Sequence, residues 1–107
     1  MPADQPPRTP PSTPPAPSGV RLSGRLICAS PDEAETVRRH LPEHLRLTLA
    51  EPGCRAFSVR ETGDPMVWQV EEHFADRPAF QAHQARTRAS AWGRATAAIR
   101  RDYAVTG

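Results

Sequence analysis

Apolar positions fall in two alternating periodicities along the chain, and together they predict six elements. Val20 to Ala29 reads as a strand, with Val20, Leu22, Leu26 and Ile27 supplying its apolar weight. Ser30-Pro31-Asp32-Glu33 then opens a helix: a capping hydroxyl, proline in the first turn, and acids at the positive end of the helix dipole. Ala34, Val37, Leu41, Leu45, Thr48 and Leu49 recur at helical spacing, and Pro42 is expected to kink this helix or start a second piece. Glu51-Pro52-Gly53 is a strong stop. Cys54 to Thr62 alternates as a strand, Gly63-Asp64-Pro65 turns the chain, and Met66 to Phe74 returns with Met66, Trp68, Val70 and Phe74 on one face. Asp76-Arg77-Pro78 starts a helix carrying Phe80, His83, Thr87 and Ala91, followed by Trp92, Ala95 and Ile99, with a break expected near Ser90 to Gly93. Arg101 to Thr106 closes as a last strand. The order strand, helix, strand, strand, helix, strand predicts an α+β, ferredoxin-like βαββαβ fold, a four-stranded antiparallel sheet with helices on one face. Trp68 and Phe74 on one strand face and Val67 on the other predict a second, partly apolar sheet face. No further element is available to cover it, so a homodimer is expected.

Composition narrows the picture. Eight of the 13 prolines lie in the first 17 of 107 positions, so residues 1–19 are expected to be a disordered Pro-rich tail and residues 20–107 one small domain. All 14 basic side chains are arginine, and neither lysine nor asparagine occurs. Thirteen arginines against eleven acids in residues 20–107 make a mixed surface, so no nucleic-acid partner is expected. No stretch approaches the length of a membrane span, and the tail lacks the apolar centre of a signal peptide. Two cysteines, Cys28 and Cys54, without a CxxC spacing fit free thiols in a cytoplasmic setting.

Several strings in this order resemble the antibiotic biosynthesis monooxygenase family. Thr48 to Cys54 (TLAEPGC) followed by Phe57 to Val59 is similar to that family's first helix end and second strand. Val70 to Asp76 (VEEHFAD) followed by Ala79 to His83 (AFQAH) is similar to its third strand and second helix. Gln84 to Trp92, with Arg101-Asp102-Tyr103 near the end, resembles a branch of quinol monooxygenases. The resemblance implies a dimeric α+β barrel with a pocket between sheet and helices in each subunit. It also implies oxygenation of quinols or aromatic polyketides by molecular oxygen, with no metal, flavin or haem as cofactor. Haem-degrading relatives use an asparagine on the first strand and a histidine late in the second helical region. This chain has no asparagine and places Trp92 or Gly93 where that histidine would fall, which disfavours haem degradation.

Cofactor-free oxygenation needs a base for a phenol or hydroquinone, a stabiliser for the resulting oxyanion, and a dry site. His83 is the best base by residue type, since imidazole titrates near ~6.5 when unperturbed; a histidine satisfied at the core edge is the competing reading. Arg86 and Arg88 are candidates to hold the oxyanion. Lying two apart on a helix, they cannot both enter one pocket, and either reads equally as a solvated arginine. Trp92, Trp68 and Phe74 could form flat walls, or simply core. Glu71 and Glu72 point to opposite sheet faces, so one of them, taken as Glu72, could turn to the helices and orient a histidine. His40 and His44 have the spacing of two metal ligands, but Pro42, Arg38 and Arg39 oppose a metal there; His44 instead could reach the pocket. The leading expectation is therefore a cofactor-independent monooxygenase acting on a small aromatic molecule. The alternative is a non-catalytic dimeric binding module for a small aromatic or apolar ligand.

Overall fold

A computed structural model describes residues 19–107; the tail expected over residues 1–19 lies, Gly19 apart, outside the described residues. The elements are β1 (Val20–Ile27), α1 (Pro31–Leu49), β2 (Cys54–Glu61), β3 (Val67–Phe74), α2 (Arg77–Ala89), α3 (Ala91–Ala95) and β4 (Arg100–Thr106). The sheet is antiparallel with strand order β2-β3-β1-β4. This is the expected ferredoxin-like arrangement, and it sets β3 between the strands that carry Cys28 and Cys54. Both thiols are free.

Local chemistry accounts for the helix starts. Ser30 Oγ accepts the Glu33 N–H (3.2 Å), while Glu33 reaches back to accept the Ala29 N–H (2.7 Å), so two otherwise orphaned donors are satisfied. Asp76 does the same for the Ala79 N–H at 2.8 Å. The break expected near Ser90 is real. Ser90 ends α2 with extended backbone, and its Oγ accepts the Gly93 N–H (3.0 Å) to begin α3.

Two helical expectations change. Pro42 neither kinks α1 apart nor starts a second piece; it sits inside one continuous 19-residue helix, exposed on the solvent side. The buried row of α1 is Ala34, Val37, His44 and Thr48, with Leu41 and Leu45 only partly buried and Leu49 55% exposed. The seam therefore runs through His44 rather than Leu45 and Leu49. From Leu41 a helical step of three leads to position 44 and one of four to position 45; hydropathy favours Leu45, and the buried stripe takes His44.

The helix-facing side of the sheet presents Val20, Leu22 and Leu26 from β1, Phe57 and Val59 from β2, and Trp68, Val70, Glu72 and Phe74 from β3. The opposite face differs from expectation. It carries Arg21, Ser23 and Arg25 beside Gln69, Glu71 and His73, with Ile27 and Val67 paired at one end. Ser23 donates to Glu71 (2.8 Å), and Arg25 pairs with Asp102 at 3.3 Å. This face is thus chiefly polar, and Val67 marks an apolar end rather than an apolar surface.

Gly24 permits the close seating of β4 on β1. A Cβ there would lie 2.1 Å from the Asp102 carbonyl oxygen, which is backbone and cannot give way. Gly24→Val is accordingly expected to destabilise the fold by at least about 2 kcal/mol in urea unfolding. Gly63→Ala in the β2–β3 turn, where nothing lies within 4 Å, should stay within about 0.5 kcal/mol of the parent or stabilise slightly.

Candidate active site

A cavity of about 520 Å³ lies between the helix-facing side of the sheet and the helices. Leu22, Phe57, Val59, Val70, Glu72 and Tyr103 form its sheet wall. His44 enters from α1, His83, Thr87 and Arg88 from α2, and Trp92 and Arg94 from α3, with Arg101 at the start of β4. The volume is in the usual range for a small-molecule site.

His83 is the centre of the polar chemistry. The side chain is 2% exposed, and its Nδ1 lies 2.9 Å from Glu51 Oε1. A carboxylate at that distance accepts the Nδ1 proton, which leaves Nε2 as a hydrogen-bond acceptor. Nε2 faces Thr87 Oγ1 at 3.4 Å and Glu72 Oε1 at 3.8 Å. Glu51 in turn receives Arg86 Nε, and Arg86 Nη2 donates to Thr48 Oγ1 at 2.9 Å. Burial lowers the His83 pKa, Glu51 works in the opposite direction, and Arg86 adds to the lowering. The imidazole is therefore neutral and basic at one nitrogen.

Glu72 is the unusual carboxylate. It is buried on β3, Oε1 has no hydrogen-bond partner, and burial with the nearby Glu51 charge pushes its pKa up to about 7. Tyr103 stays a phenol, burial having pushed it up to about 12. His44 lies flat against Trp92, ring centroids 4.6 Å apart and planes 2° from parallel. Burial first, then the charges of His83, Arg86 and Arg101, drive its pKa down to about 3. The His44–Trp92 stack is thus an uncharged aromatic wall at any neutral pH.

Of the side chains picked from sequence, His83, His44, Glu72, Arg88 and Trp92 come together around this cavity. Trp68, Phe74 and Arg86 do not line it. Trp68 is paired with Leu26 and Glu61, towards the opposite end of the strands from Phe74, with the Arg38 guanidinium 5.8 Å from its ring centroid. Phe74 lies under the site, its ring 4.7 Å from that of His83 and 5.9 Å from that of Phe80. Arg86 is drawn off by Glu51 and Thr48. Two residues apart on α2, Arg86 and Arg88 do diverge as helix geometry requires. Glu51, Tyr103, Arg94 and Arg101 join the site without having been singled out. Glu51 is visible in the sequence as part of a helix stop and of the TLAEPGC string, neither of which gives it a role at His83. Among the described residues no group of three or more His, Cys, Asp or Glu side chains is placed to hold a metal ion, and no helix is long and apolar enough to cross a membrane.

The profile of the family described as antibiotic biosynthesis monooxygenase matches residues 25–95, from the end of β1 to the end of α3. The chain belongs to that family. Solved structures bear out the fold of this monooxygenase-family chain. Rv0793 from Mycobacterium tuberculosis is 24% identical with a TM-score of 0.66, over 84% of this chain and 94% of its own. NE2512 from Nitrosomonas europaea, a protein of unknown function, is 25% identical with a TM-score of 0.68, over 83% and 87%. MupZ from Pseudomonas fluorescens is 16% identical with a TM-score of 0.72, over 88% and 71%. No curated protein matches.

Two of the buried titrating groups, His44 and Glu72, act on stability in opposite directions, while His83, also lowered by burial, acts in the same sense as His44. His44 binds a proton in the unfolded chain below about pH 6.5 but resists one when folded down to about 3, so it lowers stability as pH falls through that window. Glu72 holds its proton up to about 7 when folded but only to about 4.5 when unfolded, so it raises stability as pH falls from 7 to 4.5. The two offset each other between pH 4.5 and 6.5. His44→Phe, which keeps an aromatic against Trp92, should therefore gain on the parent by about 1.4 kcal/mol per pH unit on acidification from 6.5, read by urea unfolding at pH 7 and 5.

Proposed function

We propose that this chain is a monooxygenase that oxidises a quinol or a phenolic, polyketide-like aromatic with molecular oxygen as co-substrate and without a bound cofactor. The observation that carries this reading is the buried line Glu51–His83–Glu72, running to a cavity walled by a neutral aromatic stack. Family membership supports the oxygenase class, and the site supplies what an electron-rich phenol needs. A substrate hydroxyl against Glu72 and His83 passes its proton to that pair, which behaves as one coupled acceptor. Glu51 holds the imidazole in the tautomer whose Nε2 is free to accept. The resulting phenolate is the reductant. One oxygen atom enters the ring carbon; the other leaves as water with the two hydrogens that the substrate gives up, so a hydroquinone yields a hydroxyquinone and no external electron donor is needed.

The reading includes a cytoplasmic homodimer that pairs the outer sheet faces, as the family's dimeric barrel implies. Ile27 and Val67 supply an apolar end and Arg25, Glu71 and Asp102 the polar contacts. Light scattering at micromolar concentration should then give twice the 11.8 kDa chain mass; a monomer would count against it.

Metal-free protein with menadiol or an anthrone should consume oxygen faster than a protein-free control. His83→Ala should lower the rate at least ~100-fold, the usual scale for a general base. Activity should rise with pH through about 7 as Glu72 ionises, and Glu72→Gln should abolish that rise. A thermal shift with quinone but no oxygen uptake would instead favour a binding module.

A further inference from the structure

Three arginines, Arg88 from α2, Arg94 from α3 and Arg101 from β4, line the cavity. None is ion-paired among the described residues, whereas Arg25, Arg38, Arg46 and Arg86 each face a carboxylate. Two of the three are nevertheless fixed. Arg94 Nη1 donates to the Ala89 carbonyl at 2.6 Å. Arg101 donates to the carbonyls of Thr96 (2.7 Å) and Ile99 (2.9 Å) and to Thr96 Oγ1 (2.9 Å). Carbonyls and hydroxyls orient a guanidinium without cancelling its charge. The Arg88 side chain makes no hydrogen bond or ion pair among the described residues and is exposed at the cavity. Arg21, Arg39, Arg55, Arg60, Arg77 and Arg100 have no ion pair among the described residues either, but they do not line this cavity.

The one acid among the lining residues is Glu72, which is buried beside His83. The cavity therefore holds a proton acceptor, a flat aromatic wall and three guanidiniums, none of them ion-paired to the one carboxylate present. Like charges gathered around one concavity repel each other, and an anion entering there is favoured. The fork geometry of guanidinium matches a carboxylate better than a neutral oxygen.

We propose that the substrate is an aromatic carboxylate, its acid group held by Arg88, Arg94 and Arg101 while its ring lies against the His44–Trp92 stack. The orientation of the reacting hydroxyl towards Glu72 and His83 rests on the oxygenase reading above; the binding of the acid group does not.

The probes are 2-naphthoate and 2-naphthamide, which share ring and shape and differ in charge. Calorimetric titration of the full chain at low ionic strength should show the acid binding at least ~10-fold tighter than the amide, the scale of a charge-assisted contact. Raising the salt to ~0.5 M should narrow that ratio, since exposed charges are screened. Arg88→Gln, at an exposed side chain with no structural bond, should weaken naphthoate about fivefold and leave naphthamide unchanged. Arg101→Lys keeps a charge and should retain more of the preference than Arg101→Gln. An amide that binds as tightly as the acid, a preference that survives Arg88→Gln and Arg101→Gln intact, or no binding of either probe would overturn the proposal. Selective naphthoate binding without oxygen uptake on any phenol would instead overturn the oxygenase reading and leave this one standing.

Discussion

The Glu51 carboxylate, placed just beyond the last turn of α1, is the tie on which the site depends. One oxygen takes the His83 Nδ1 proton and the other takes Arg86 Nε. The first helix is thereby joined to the second above β3. Three consequences follow from one group. The tautomer of His83 is set, Arg86 is withdrawn from the cavity, and the half-buried guanidinium has a counter-charge. Removing one partner of such a half-buried set leaves the other charge uncompensated, which costs more than an exposed pair contributes. The exposed pairs Arg38–Glu35 and Arg46–Glu43 on α1 have no comparable role.

That tie also explains the electrostatic grading of the cavity. With Arg86 neutralised, the charges left facing the ligand are those of Arg88, Arg94 and Arg101. Deeper in, His44 is held neutral because burial and surrounding cations both oppose its protonation. The cavity therefore runs from a cationic rim through an uncharged aromatic wall to a proton-accepting floor. On the proposed reading, a phenolate formed at that floor has the rim guanidiniums on one side, which favour the anion, and the Glu51 charge behind, which opposes it.

Strands and helix caps are legible from the sequence because their signals are local: alternation in β3, Ser30 before Pro31, Asp76 before Pro78. The side chains of β3 that turn to the helices follow from period two alone, and so Glu72 can be separated from Glu71. What is not legible has a common cause. Glu51, Arg101 and Tyr103 reach the site from chain segments remote in sequence from α2, and no spacing rule connects them to His83. Trp68 fails as a pocket wall for a related reason. Period two gives its face correctly but says nothing of its height along the strand, and it lies towards the other end from Phe74. His44 is the subtler case. Helical steps from Val37 through Leu41 reach both 44 and 45, and hydropathy favours Leu45, whereas His44 is the one that is buried.

Those two positions bear on function most directly, since each breaks the local rule around it. The buried row of β3 is Trp68, Val70, residue 72 and Phe74; packing alone would fill position 72 with an aliphatic side chain. A carboxylate there, with an unpartnered oxygen and a pKa lifted to about 7, lowers stability at neutral pH. The buried row of α1 likewise calls for leucine at position 44 and holds a histidine whose Nδ1 has no partner. Both are costly for the fold, and both face the same cavity, where His83 lies between them. A purely structural role would be served better by apolar residues at either place. Local costs that converge on one cavity are the structural reason to seek the proposed chemistry there rather than elsewhere on the fold.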